Sequence, residues 1–120
     1  MALRLACATL LLTLSLGCGS SSNAPSSPTP TGSMPVSIVA GSSTLTTTAY
    51  SPNPMTVPVG GTIIWTNNDS VTHTSTADNG EWNSGSIAPG GQYSKTFSTT
   101  GTFSYHCTIH PNMIGTVRVQ

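Results

Sequence analysis

One stretch of the 120-residue chain concentrates its chemistry: Tyr105-His106-Cys107-Thr108-Ile109-His110-Pro111-Asn112-Met113-Ile114-Gly115. Cys107, His110 and Met113 recur at three-residue steps, a spacing that a helix would place on one face. Pro111 and Gly115 argue against a helix there, and no helical apolar pattern surrounds them. The better reading is a strand ending at Cys107, a tight loop, and a strand restarting after Gly115. A loop that short makes three side chains converge. Ligand softness then suggests the chemistry: a thiolate and a thioether favour copper, Cu(I) especially, and imidazole suits both copper states. Two imidazoles and a thiolate in a plane, with a weak axial thioether, form a known one-electron copper site. A second imidazole must come from elsewhere. His106 alternates away from Cys107 on the same strand, which leaves His73, just after the polar Asn67-Asn68-Asp69-Ser70 loop.

The elements that must position these groups read as strands. Short β-branched and aromatic runs are separated by Gly, Pro and Asn, the signature of an all-β sandwich or barrel. Val36–Ala40, Thr56–Pro58, Thr62–Asn67, Gln92–Phe97, Thr102–Cys107 and Thr116–Val119 are the expected strands. Ile63 and Trp65 share one face of theirs, Tyr93 and Phe97 another, and Phe103, Tyr105 and Cys107 a third. Pro89-Gly90-Gly91 and Thr100-Gly101 mark turns. The total expected is seven or eight strands. A domain of this size without a disulfide has a small core and gains from a metal staple.

The amino terminus reads as a targeting segment. Arg4 precedes an apolar stretch, Leu5 to Leu16, too short to span a membrane. Leu14-Ser15-Leu16-Gly17-Cys18 resembles a bacterial lipobox, with Ser15 and Leu16 where that pattern prefers Leu and a small residue. The resemblance implies a lipoprotein-type signal peptide over residues 1–17 and acylation of Cys18, a membrane anchor on an exported, periplasmic or cell-surface protein. Residues 18–35 are rich in Ser, Pro and Thr and read as a tether. Residues 36–120 read as the folded domain. Cys7 leaves with the leader and Cys18 carries the anchor, so Cys107 stands alone in the domain. A lone thiol in an exported domain needs a reason, and a metal bond is one.

Beyond the ligand spacing, the chain resembles the plastocyanin–amicyanin family of cupredoxins, type 1 blue-copper proteins. The resemblance spans residues 50–120. It rests on Val57-Pro58-Val59-Gly60, Trp65-Thr66-Asn67-Asn68-Asp69, His73, Ser84-Gly85-Ser86-Ile87-Ala88-Pro89-Gly90, and Gly101-Thr102-Phe103-Ser104-Tyr105 leading into the ligand loop. The Cys-x-x-His-x-x-Met spacing is the short form, like that of amicyanin; plastocyanins have two more residues before Met. The resemblance implies a Greek-key β-sandwich that holds one copper ion. His73, Cys107 and His110 would be its strong ligands and Met113 its axial one. It also implies single-electron transfer between transient redox protein partners through an exposed edge of His110, ringed by Pro111, Ile114, Pro54 and Met55. Where the family commonly has Asn after the first ligand His, this chain has Thr74, whose hydroxyl and backbone would have to brace the ligand loops. Where many relatives carry an aromatic residue before Cys, it has His106.

Charge narrows the partners. Charged residues make up 5% of the chain and its formal net charge is zero. Past Cys18, Lys95 and Arg118 stand against Asp69, Asp78 and Glu81, two positive and three negative, a net of −1. Nucleic-acid binding is excluded, since it needs clustered Lys and Arg. A docking surface is expected to be apolar or neutral, on a monomer that meets membrane only through its anchor. Asp69, Asp78 and Glu81 read as solvated loop charges; Met55, Trp65, Trp82, Tyr93 and Phe97 read as core or patch. An enzyme is not expected: no open coordination position, second copper or triad is apparent. The rivals to an electron carrier are a copper-binding or trafficking lipoprotein that stores or donates the ion, and a metal-free binding module on the same tether.

Overall fold

The computed structural model describes residues 32–120. The expected leader, Cys18 and the tether up to residue 31 lie outside the described residues. Eight strands follow in order: β1 (Met34–Ile38), β2 (Tyr50–Ser51), β3 (Met55–Val57), β4 (Thr62–Asn67), β5 (Thr76–Ala77), β6 (Gln92–Thr96), β7 (Gly101–His106) and β8 (Ile114–Val119). They form two four-stranded sheets, ordered β2-β1-β4-β6 and β3-β8-β7-β5. The pairs β1–β4 and β3–β8 are parallel and the rest antiparallel. This is the expected β-sandwich. β1 starts at Met34, two residues before the expected Val36, and β8 starts at Ile114 rather than Thr116. The two-residue strands β2 and β5 were not expected, because two residues carry no readable period.

Alternation builds the core. In β4, Ile63, Trp65 and Asn67 face inward while Thr62, Ile64 and Thr66 are only partly covered. In β8, Gly115, Val117 and Val119 point in. Val36, Ile38, Val57, Phe97 and Tyr105 complete the filling. Each large apolar side chain buried this way contributes about 1.5–3 kcal/mol. Aromatic rings join the sheets: Trp65 lies edge-on to Tyr105 at 5.6 Å between centroids, and Tyr50 edge-on to Tyr105 at 4.7 Å. The expected apolar faces are therefore observed, and Met55 is part of the core rather than of a surface rim.

Two connections leave the same end of the sandwich. One follows β4 and carries His73. The other joins β7 to β8, whose register pairs His106 with Ile114 and leaves residues 107–113 between them.

Candidate metal centre

The β7–β8 connection is short because backbone bonds close it. Cys107 N–H donates to Met113 O at 3.1 Å, and Met113 N–H donates to His110 O at 3.0 Å. Cys107 and Met113 are fully buried, while His110 is half-buried. The His73 loop is fixed differently. Asn67, buried at the end of β4, donates from Nδ2 to Val71 O at 2.8 Å and Ile87 O at 2.9 Å, and accepts Asp69 N–H at 2.9 Å. His73 then bridges to Ile87, donating at 3.2 Å and accepting at 2.8 Å. Both of its backbone groups are spoken for, so its ring is aimed by the frame.

Among the described residues, His73, Cys107 and His110 form the group whose ligand atoms lie together, within 4.8 Å of one another. The sides of their triangle are 3.8 Å from Cys107 Sγ to His73 Nδ1, 3.8 Å from Sγ to His110 Nδ1, and 3.2 Å between the two Nδ1 atoms. Zinc, copper's neighbour in the first row, binds imidazole nitrogen at about 2.0–2.1 Å and thiolate at about 2.3 Å. A point at those distances from all three atoms lies within about half an ångström of their plane. The donor set, one thiolate and two imidazoles converging on a trigonal point, therefore fits copper. Met113 sits next to this group in the chain with no solvent contact.

Neighbours fix each candidate ligand. His73 Nε2 lies 2.8 Å from Asp69 Oδ2, so the proton belongs on Nε2 and the Nδ1 lone pair faces the site. Asp69 also accepts Gly41 N–H at 3.0 Å, Ser70 N–H at 2.8 Å and the Ser42 hydroxyl at 3.2 Å. The Gly41 N–H first, then His73 Nε2, hold its carboxyl well below the usual carboxylate range against the opposing effect of burial. The expectation of a solvated loop charge at Asp69 is thus corrected: the carboxylate is buried and orients the His73 ring. Asp78 and Glu81 stay exposed, paired with His106 Nδ1 at 2.6 Å and Lys95 at 3.9 Å. His106 points away from the site, as its alternation demands.

Thr74 ties the two loops. Its N–H donates to Cys107 Sγ at 3.3 Å, and its hydroxyl oxygen accepts Thr108 N–H at 2.9 Å. Tyr50 was absent from the expected site. Its hydroxyl donates to Thr74 O at 2.7 Å. Ser42 and Tyr50 gave no sequence signal; Asp69 gave one, as a rare charge in a charge-poor chain just ahead of a ligand His. The residues flanking His110 in the chain carry no charge: Pro111 and Asn112 are exposed, and Ile109 and Ile114 are exposed by 49% and 45%.

The sequence profile described as copper binding proteins, plastocyanin/azurin family, matches residues 36–120. A plastocyanin from Scenedesmus fuscus is 34% identical over 84 residues, covering 59% of this chain and 86% of that protein. Among solved structures, a purple cupredoxin from Nitrosopumilus maritimus is 33% identical with a TM-score of 0.65, covering 72% of this chain and 98% of that one. A reduced amicyanin variant is 29% identical with a TM-score of 0.61, covering 74% and 83%. A copper-containing nitrite reductase from Thermus scotoductus, 23% identical with a TM-score of 0.62 and covering 74% of this chain and 22% of its own, shares the fold alone.

Proposed function

The chain belongs to the plastocyanin/azurin family of copper-binding proteins, and from that premise we propose that it is a single-electron carrier and not an enzyme. The observation that carries this reading is the pre-assembled triangle of His73, Cys107 and His110 on two braced loops. Copper, when bound, supplies a one-electron couple between Cu(I) and Cu(II). The protein's part is to keep the ligand atoms still. His73 is held by Asp69 and the Ile87 bridge, Cys107 by Thr74 N–H, and His110 by the 110–113 turn. Met113, buried beside them, is proposed as the weak axial ligand whose character sets the potential.

His110 is the half-buried ligand, so its ring is the closest contact a partner can make with the site. The neutral, apolar surface around it suits a small, transient interface with a redox protein. Export and anchoring through Cys18 are part of this proposal and rest on the leader sequence.

Absorption and EPR spectra of the copper-loaded chain test the reading. An intense visible thiolate-to-copper band is expected, and His110→Ala should largely abolish it. Unchanged colour in that variant would refute the ligand assignment. Fast loss of Cu(I) to an acceptor protein, without electron exchange, would favour storage or donation of the ion instead.

A further inference from the structure

We infer that Tyr50 is a positioning residue for the copper thiolate, acting through the backbone of Thr74. The inference rests on the copper reading above and deepens it. Thr74 N–H is the hydrogen bond made to Cys107 Sγ, at 3.3 Å. A hydrogen bond to a ligating thiolate draws electron density from sulfur and raises the potential of the metal it holds. What aims that N–H therefore matters.

The peptides on either side of Thr74 are pinned. The His73 carbonyl accepts Ile87 N–H at 2.8 Å, and Ser75 N–H donates to Ser84 Oγ at 2.8 Å. The remaining group, the buried Thr74 carbonyl, takes the Tyr50 hydroxyl at 2.7 Å. Tyr50 itself is tightly packed. It belongs to β2, paired with Ile38 of β1, and its ring is wedged edge-on against Tyr105, two residues before Cys107. It is 1% exposed. Burial, and next the adjacent Cys107, hold its phenol above the ordinary tyrosine range, so it remains a donor. Without that donor the Thr74 carbonyl is a buried acceptor with no partner. The Thr74–Ser75 peptide is then held only through Ser75 N–H and pivots about it, so the Thr74 Cα that aims the neighbouring N–H at the sulfur loses one of its two anchors.

The chain provides its own control. Tyr105 is as deeply buried and touches the same Tyr50 ring, but its hydroxyl faces Trp65 and makes no hydrogen bond to Thr74. Removing it disturbs packing near Cys107 without touching Thr74.

The experiment compares wild type, Tyr50→Phe and Tyr105→Phe in two states. In the copper-free chain, hydrogen exchange at the Thr74 amide is expected to quicken about five- to tenfold in Tyr50→Phe, the worth of one neutral hydrogen bond, and to stay unchanged in Tyr105→Phe. In the copper-loaded chain, Tyr50→Phe is expected to shift the thiolate band and lower the reduction potential, with Tyr105→Phe matching wild type. A coloured wild type with Tyr50→Phe identical to it in band, potential and Thr74 exchange overturns the inference. Equal shifts in both variants also overturn it, since they mark packing alone. A colourless wild type defeats the copper reading, and the Thr74 amide measurement still decides whether Tyr50 positions that backbone.

Discussion

At the scale of single residues, the site is set by groups that never touch the ion. Asp69 receives two backbone N–H groups on Oδ1 and the Ser42 hydroxyl and His73 Nε2 on Oδ2. Asparagine cannot reproduce this. With its NH2 toward Gly41 and Ser70, donors face donors. With its NH2 toward His73, the imidazole proton is driven to Nδ1, the atom the metal needs. Asp69→Asn is expected to cost the copper-free chain about 1.5–3 kcal/mol in thermal or urea unfolding, the range for hydrogen bonds to a charged group. Copper affinity, read by chelator competition, should fall about 10–100-fold. The pH dependence has a definite sign. Asp69 is depressed in the folded chain, so its contribution is present above the ordinary aspartate value of 3.8 and is lost as pH falls below it. The gap in melting temperature between the two copper-free chains should therefore narrow from pH 6 toward pH 3. A gap that widens on acidification would contradict the assigned hydrogen bonds.

At the scale of elements, the ligand loop was legible and its supports were not. Soft ligands at fixed steps between a Tyr105–Cys107 alternation and a glycine describe a loop that any strand–loop–strand reading would find. β2 and β5 are only two residues long, and what they do, holding Tyr50 and leading out of the Thr74 loop, depends on partners far along the chain. Asp69 was misread for a similar reason: local sequence shows a polar loop, whereas the amides and hydroxyl that bury its charge come from residues 41 and 42, well before it. Gly115 shows how tightly the visible and hidden parts join. It lies in β8 opposite Tyr105, and a Cβ there would overlap the ring, 2.5 Å from its hydroxyl oxygen. The ring cannot retreat, because Tyr50, Trp65 and Trp82 enclose it. Gly115→Ala is therefore expected to cost about 1–3 kcal/mol by overpacking and to lower the melting temperature by roughly 5–20 °C. A melt within a degree or two of wild type would show that β8 yields where the core is drawn as rigid.

At the scale of the whole molecule, the sandwich keeps its few charges from acting at a distance. Asp69 is buried against His73, Glu81 lies near Lys95, and Asp78 holds His106, which leaves Arg118, among the described residues, as the exposed charge without an opposite partner. Residues 32–120 sum to −1, and Cu(II) on the thiolate would bring that to zero, so two such bodies with centres about 30 Å apart repel by no more than about 0.1 kcal/mol in water. The residues flanking His110 in the chain carry no charge either, so approach through them is governed by desolvation of Ile109, Pro111 and Ile114 rather than by steering. Electron self-exchange of the copper-loaded chain, measured by NMR line broadening, should then change by less than about twofold between 10 and 200 mM salt, although the screening length shrinks from about 30 Å to under 10 Å. Replacing Ile114 with Lys should create the missing dependence. Self-exchange should slow at low salt as two like charges are brought face to face, and recover as salt is added. A steep salt dependence in the wild-type chain would mean that molecules meet through some other, charged face, and the apolar surface around His110 would lose its assigned role.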